Sequence, residues 1–239
     1  MNEIVLQSDS MLFNAGAETN FIYEIQHPDN TNIDVDAFNR ETYGITPRIS
    51  TRLLKLVEDY NAQIIFKSIQ SRCFSQNLRT IDGDLPSILA HLLLIRYLKN
   101  ETMIKRCTEI LTAENPLDFD IEQHGAVYEY KVKQFLHDCA LGMVPVKPWQ
   151  GIYDATWEQI IVKGDGQVVC YHIYEQNRFL NYLYNSTKFD GASTSEDANN
   201  PGHPRQKVAG KTLKPFFYGW LYEENGRLYF KLNLQVRFR

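Results

Sequence analysis

The chain has 239 residues, of which 44% are hydrophobic and 23% charged, with a formal net charge of −4. That is the composition of a folded protein rather than a disordered one, and the longest apolar run, residues 88–95 with His91 inside it, is too short to span a bilayer. The first residues, Met1-Asn2-Glu3, offer neither the basic segment nor the apolar run of a secretory signal, which predicts a cytoplasmic protein.

In chain order, the first segment reads as extended and turn-rich. Residues 20–25 alternate, with Phe21, Tyr23 and Ile25 on one face of a predicted strand, and His27-Pro28-Asp29-Asn30 ends it. Pro47 suits the first turn of a helix running to about Asn61, with Ile49, Leu53, Leu56, Val57 and Tyr60 on its apolar stripe. Residues 62–69 read as a short buried strand. Asp84 as cap and Pro86 in the first turn open a very apolar helix through Leu98. A second helix covers residues 101–113 and stops at Asn115-Pro116. A third covers residues 126–141 and ends at Gly142.

Pro145, Pro148 and Gly151 mark the best boundary, dividing the chain into residues 1–145 and a β-rich region, 146–239. There, residues 157–163, the turn Gly164-Asp165-Gly166 and residues 167–174 predict a hairpin. A helix over 176–185 follows, carrying Phe179, Leu180, Tyr182 and Leu183. Residues 191–215 form a polar loop, long for a compact domain and therefore mobile or functional. Residues 216–222, the turn Glu223-Glu224-Asn225-Gly226 and residues 228–238 predict a second hairpin. The class is α+β, a helical region followed by antiparallel β-hairpins.

Charge is polarised along the chain. Residues 1–46 carry eight acids against Arg40 alone, whereas residues 201–239 carry eight bases against Glu223 and Glu224. Clustered Lys and Arg neutralise phosphates, so the basic end is compatible with a polyanion-binding face and equally with a solvated tail. Among the 14 Tyr, 13 Phe and 3 Trp, residues 149–157, 170–184 and 216–238 are crowded with aromatics, where sheet packing accounts for most of them and stacking on nucleic acid is the alternative. Cys73, Cys107, Cys139 and Cys170 are widely spaced and read as reduced thiols; neither they nor the six scattered histidines have zinc-site spacing.

No Gly-x-Gly-x-x-Gly, Walker loop, Gly-x-Ser-x-Gly or His-Glu-x-x-His occurs. Metal-assisted phosphodiester cleavage often uses one carboxylate and then an acid-x-Lys pair on a strand, the acids holding Mg²⁺ and the Lys orienting water. The single acid-x-Lys here is Glu129-Tyr130-Lys131, with Asp118 upstream. Asp118, Glu129 and Lys131 are therefore the catalytic candidates. Tyr128, Val132, Phe135, Leu136, Cys139 and Met143 nevertheless fall at helical spacing, which points Glu129 and Lys131 to nearly opposite sides and favours a solvated helix face.

Several stretches, in order along the whole chain, resemble the HpaII family of type II restriction endonucleases. They are Leu12-Phe13-Asn14-Ala15-Gly16 with Thr19-Asn20-Phe21-Ile22-Tyr23; Asn77-Leu78 with Ile81-Asp82; and Lys131-Val132-Lys133-Gln134-Phe135-Leu136 into Ala140-Leu141-Gly142-Met143. Then come Cys170-Tyr171-His172-Ile173-Tyr174 with Phe179, Tyr182-Leu183, Asn185, Thr187-Lys188-Phe189 and Ser193-Thr194-Ser195. Most specific is the close, Phe230-Lys231-Leu232-Asn233-Leu234-Gln235-Val236-Arg237-Phe238.

The resemblance implies a restriction-endonuclease-like α/β core, cleavage of duplex DNA at CCGG, a Mg²⁺ cofactor, a homodimer, and a cytosine-5 methyltransferase encoded nearby. Residues 1–145 would be a partial nuclease core. Family members carry a segment like Phe-Ser-Ile-Lys-Ser before the Leu-x-Asn-Ala-Gly stretch, where this chain has Glu3-Ile4-Val5-Leu6-Gln7, and no lysine precedes Lys55. The expectation is an incomplete polypeptide, corresponding to the C-terminal two-thirds of such an enzyme and inactive alone. Glu196 stands where relatives tend to have Arg, and residues 197–215 read as an insertion.

CCGG readout needs donors to guanine O6 and N7 and acceptors for the cytosine amino group. The DNA-contact candidates are Arg178, Lys188, Arg205, Lys207, Lys211, Gln235 and Arg237, with Lys214, Asn181 and Asn185 beside them; phosphate contact or plain solvation is the competing reading for each. Asn233 and Gln235 alternate with Leu232, Leu234 and Val236, giving one strand a polar face toward DNA or water. The alternative functions are a non-catalytic DNA-binding or interaction module, and a small-molecule enzyme built around Asp118, Glu129 and Lys131.

Overall fold

A computed structural model describes residues 11–28, 32–42, 48–153, 158–162, 166–172, 176–191, 196–197, 200–204 and 218–238. Strand β1 (Met11–Phe13) and a 3-10 turn (Gly16–Thr19) lead into β2 (Asn20–Gln26). Helices α1 (Val35–Glu41) and α2 (Arg48–Glu58) precede β3 (Gln63–Ile69). Four consecutive helices follow: α3 (Arg72–Ile81), α4 (Leu85–Leu98), α5 (Ile104–Glu114) and α6 (Val127–Ala140). β4 (Glu158–Val162) and β5 (Val168–His172) pair as the expected hairpin, ahead of α7 (Gln176–Ser186) and β6 (Lys188–Phe189). The short pair β7 (Glu196–Asp197) and β8 (Asn200–Pro204) and then β9 (Leu221–Glu224), β10 (Arg227–Asn233) and β11 (Val236–Phe238) complete the described elements. The class is α+β, and every strand pairing among the described residues is antiparallel.

The strands assemble by joining the two ends of the chain. One sheet has the order β3-β2-β10-β9 and another β1-β11-β6, so β10 and β11 are each stitched to an N-terminal strand. Alternation explains the core face of the larger sheet: Phe21, Tyr23 and Ile25 of β2 lie beside Leu232, Phe230 and Leu228 of β10, all buried. Beneath them is α4, apolar nearly all round because it is covered on all sides. It packs against α2, α3, α5, α6 and β3, and its Ala90 carbonyl accepts the Tyr23 hydroxyl at 2.8 Å. Phe13 of β1 meets the rings of Phe74 and Phe135 at 6.0 Å, fixing the smaller sheet to α3 and α6.

Several local expectations are corrected. Helices α1 and α3 are absent from the elements read from sequence, and both are short; their start signals are nonetheless present. Asp34 accepts from the Ala37 amide at 2.9 Å and Ser71 from the Phe74 amide at 3.3 Å. Asp84 makes no cap bond to α4 and turns to Lys131 instead. β3 is an edge strand with mostly half-exposed or exposed residues rather than a buried one. Val57, placed on the apolar stripe of α2, is 39% exposed. The second hairpin turns in two residues, Asn225 and Gly226, both at positive φ, which is the type I′ geometry that Asn-Gly favours. The strand expected over 228–238 is two strands in different sheets, because the chain leaves the larger sheet after Asn233 and enters the smaller at Val236. No helix among the described residues is long and apolar enough to cross a membrane.

Candidate nucleic-acid interface

The crossing from one sheet to the other is where the sequence's most specific stretches meet. Asn233 lies opposite Asn20 in register, and both side chains are fully enclosed. An enclosed amide must be bonded locally, since leaving it unpaired costs free energy. The Asn233 Nδ2 group reaches the Gly16 carbonyl at 2.6 Å, Thr19 Oγ1 at 3.1 Å and Asn20 Oδ1 at 2.8 Å. Gln235 donates to Asn233 Oδ1 at 2.9 Å, and the Leu234 amide donates to the Thr19 carbonyl at 3.0 Å. The polar side of this stretch, expected to face DNA or water, is instead bonded internally; it is the lock between the 3-10 turn and the last two strands.

The network reaches the surface at Gln70. Its Oε1 accepts from Asn20 at 3.2 Å and from Lys231 Nζ at 2.6 Å, while the Gln70 residue itself is exposed. Lys231 is only 5% exposed and lies 5.6 Å from the Tyr222 ring. Burial disfavours its charged form and brings its pKa down to about 8. On the same sheet face, Glu24 pairs with Lys67 at 2.9 Å and Arg227 at 3.6 Å, and the Lys67 hydrogen bond holds its carboxyl below the usual range. Asn20 and Lys231 lie in stretches that resemble the family but, like Gln70, are not among the DNA-contact candidates read from sequence. The available signal was the alternation Tyr229, Lys231, Asn233, but only the β2–β10 register shows what those residues face.

The other DNA-contact candidates are placed unequally. Arg237, on β11, donates to Asp190 Oδ2 at 2.5 Å and, through that bond, holds the Asp190 carboxyl below its ordinary value. Lys188 is half-buried on β6, opposite Arg237. Arg178 is exposed near the start of α7. Arg205, Lys207, Lys211 and Lys214 lie outside the described residues.

The catalytic candidates Asp118, Glu129 and Lys131 are bonded to different partners. Lys131 points from α6 to the corner before α4, where it meets the carboxylates of Asp82 and, at 3.1 Å, Asp84. Burial presses the Lys131 ammonium down, but the two acids outweigh it and leave the pKa above its ordinary value. Glu129 binds Lys133, one helical turn on. Asp118 sits at φ 53 in the loop after α5, its amide donating to the Asn115 carbonyl at 3.1 Å. Lys131→Met is expected to cost about 1–2 kcal/mol of stability, because two partly buried carboxylates then face each other without a cation. Urea unfolding of the variant checks this, and an unchanged midpoint would show that the pair holds nothing together.

A Mg²⁺ ion demands several converging oxygen donors. Among the described residues no three of His, Cys, Asp and Glu converge, and the Asp82–Asp84 pair already holds Lys131. The described residues do not fit such an ion.

Residues 4–200 match the family model described as HpaII restriction endonuclease. The Type II restriction enzyme HpaII of Haemophilus parainfluenzae is 36% identical over 233 residues, covering 98% of this chain and 58% of that relative. This chain therefore spans less than two thirds of the relative's length. No solved structure matches it. The family match runs through all seven helices of the described residues and ends before β9, β10 and β11, and the chain belongs to the HpaII restriction endonuclease family.

Proposed function

We propose that this chain is a type II restriction endonuclease polypeptide acting on double-stranded DNA at CCGG. In this reading the described residues supply scaffold and DNA-contact surface, and the Mg²⁺-binding acids lie outside them. The supporting observation is that the stretches 12–16, 19–23 and 230–238, whose sequences resemble the family, converge on one hydrogen-bonded junction, with Lys231 and Gln70 at its edge. A homodimer would match the two-fold symmetry of the CCGG palindrome. Action inside the cell, beside a cytosine-5 methyltransferase encoded nearby, completes the proposal.

The test is a gel shift, followed by a Mg²⁺ cleavage assay, on CCGG and scrambled duplexes. A preference for CCGG is the expected result. Binding that depends steeply on salt but shows no sequence ratio would indicate a non-catalytic DNA-binding module instead.

A further inference from the structure

The amide network of the sheet junction ends at the surface in a side chain whose direction is forced. The Gly16 carbonyl only accepts, so the Asn233 group facing it is Nδ2. That NH₂ also donates to Asn20 Oδ1, which turns Asn20 Nδ2 toward Gln70. Gln70 Oε1 therefore faces inward, accepting from Asn20 at 3.2 Å and from Lys231 Nζ at 2.6 Å. The Gln70 NH₂ is left as an oriented donor at an exposed position, with no partner among the described residues.

Two residues further on, at most about 7 Å of chain, α3 begins. Phe74, Asn77 and Leu78 form its buried side, while Arg72, Gln76 and Arg79 are exposed. At 100° per residue these three fall within about 60° on the opposite face, and about 10 Å of helix separates the two arginines. Asn77 ties a second segment to the helix. Its Nδ2 donates to the carbonyls of Val144 at 3.0 Å and Lys147 at 2.8 Å, and its Oδ1 accepts the Trp149 amide at 2.8 Å. The exposed Lys147 is thereby fixed beside α3.

The sequence keeps acids out of both segments: none occurs over residues 60–81 or 139–153. The bordering carboxylates are engaged, Asp59 by Lys55, Asp82 by Lys131, and Asp138 by His137 and Tyr153. Arg106, Lys133 and Arg237 each hold a carboxylate. Arg72, Arg79 and Lys147 hold none among the described residues. Three unneutralised cations beside an outward amide donor suit a row of phosphates, which carry negative charge and only accept.

We propose that Gln70, Arg72, Arg79 and Lys147 grip the phosphate backbone of duplex DNA, with Asn20 and Lys231 positioning the Gln70 amide and Asn77 positioning Lys147. This rests on the restriction-endonuclease reading and adds to it the surface that holds the duplex, as distinct from the groups that read bases.

The experiment uses the 239-residue chain and fluorescence anisotropy without Mg²⁺, on CCGG and scrambled duplexes between about 50 and 200 mM salt. Arg72→Ala, Arg79→Ala and Lys147→Ala should each weaken both duplexes alike. Each should also lower the slope of log affinity against log salt by about 0.9, which converts to roughly 8-fold at 0.1 M. Gln70→Glu keeps an oxygen for Asn20 and Lys231 but turns the outward donor into an acceptor, and should cost ~10-fold on both duplexes. Lys99→Ala, about 20 Å along α4 from its first residue, controls for the loss of a charge and should bind as the wild type does. The substituted cations are exposed, so unchanged thermal unfolding certifies the fold. Variants that weaken no more than Lys99→Ala, or that lose only the CCGG preference at an unchanged salt slope, would overturn this surface and leave the proposed function standing. A wild type without CCGG preference whose variants still lower the slope would overturn the proposed function and leave the surface. A wild type that binds neither duplex would overturn both.

Discussion

Asn233→Ala is expected to destabilise the protein by about 3 kcal/mol, the largest effect among the polar positions described. One amide NH₂ group reaches three acceptors on the 3-10 turn and β2, and its oxygen takes the Gln235 amide, all in a fully enclosed site. Truncation removes these bonds and also strands their partners, and each stranded buried group costs about 1–3 kcal/mol, partly relieved where a partner has a second bond. Asn233→Asp should be worse than Ala, since it sets a carboxylate oxygen against three acceptors. Chemical denaturation followed by circular dichroism measures both. A loss below about 1 kcal/mol would mean that the junction is wet and loosely held. Because the junction ties β10 to the residues just before β2, the loss should appear as one cooperative transition rather than as fraying of the C-terminus.

Lys231→Met is expected to raise stability at pH 7 and to flatten its pH dependence. The folded-state pKa of Lys231 is depressed by burial to about 8, whereas the unfolded chain titrates near the usual lysine value. Between those values the unfolded chain holds a proton that the folded chain has released, so wild-type stability rises with pH through that window. Below about pH 8 the folded state carries the full cost of an enclosed ammonium, about 3 kcal/mol at 1.36 kcal/mol per pKa unit. Methionine removes this cost and forfeits the hydrogen bond to Gln70, about 1 kcal/mol, for a net gain of about 2 kcal/mol. Thermal unfolding at pH 7, 8 and 9.5 should show the wild type climbing and the variant level. A wild type whose stability is constant over this range would contradict the burial of a charged Lys231. Natural chains retain costly groups of this kind where function uses them, and the same variant is expected to bind duplex DNA more weakly.

Local signals were readable where a short-range cause was sufficient. The alternation over 20–25, the apolar run after Pro86, the stop at Asn115-Pro116 and the helix over 176–185 all correspond to elements within a few residues of expectation. The helical spacing around Glu129 and Lys131 correctly placed them on α6, pointing to different neighbours. Where two tertiary facts were needed, sequence reasoning fell short. Asn233 and Gln235 look like a strand's solvated edge until the partner strand is known, and only the pairing with β2 shows that they are buried amides. The ion pair of Arg237 with Asp190, 47 residues earlier, was likewise not legible in the sequence.

The sequence by itself determined the class, the family resemblance and most of the helices, because periodicity, caps and turn residues act over a few positions and leave a local record. Tertiary structure alone decided that strands from the two ends of the chain share the two larger sheets, that Lys231 is enclosed, and that Asn181 and Asn185 of α7 are held by lysines of α6 and α5. Those outcomes depend on contacts between residues as far apart as Gly16 and Asn233, and on lysines carried by other helices. No local pattern encodes such pairings, since each side chain's role is set by what folding brings against it.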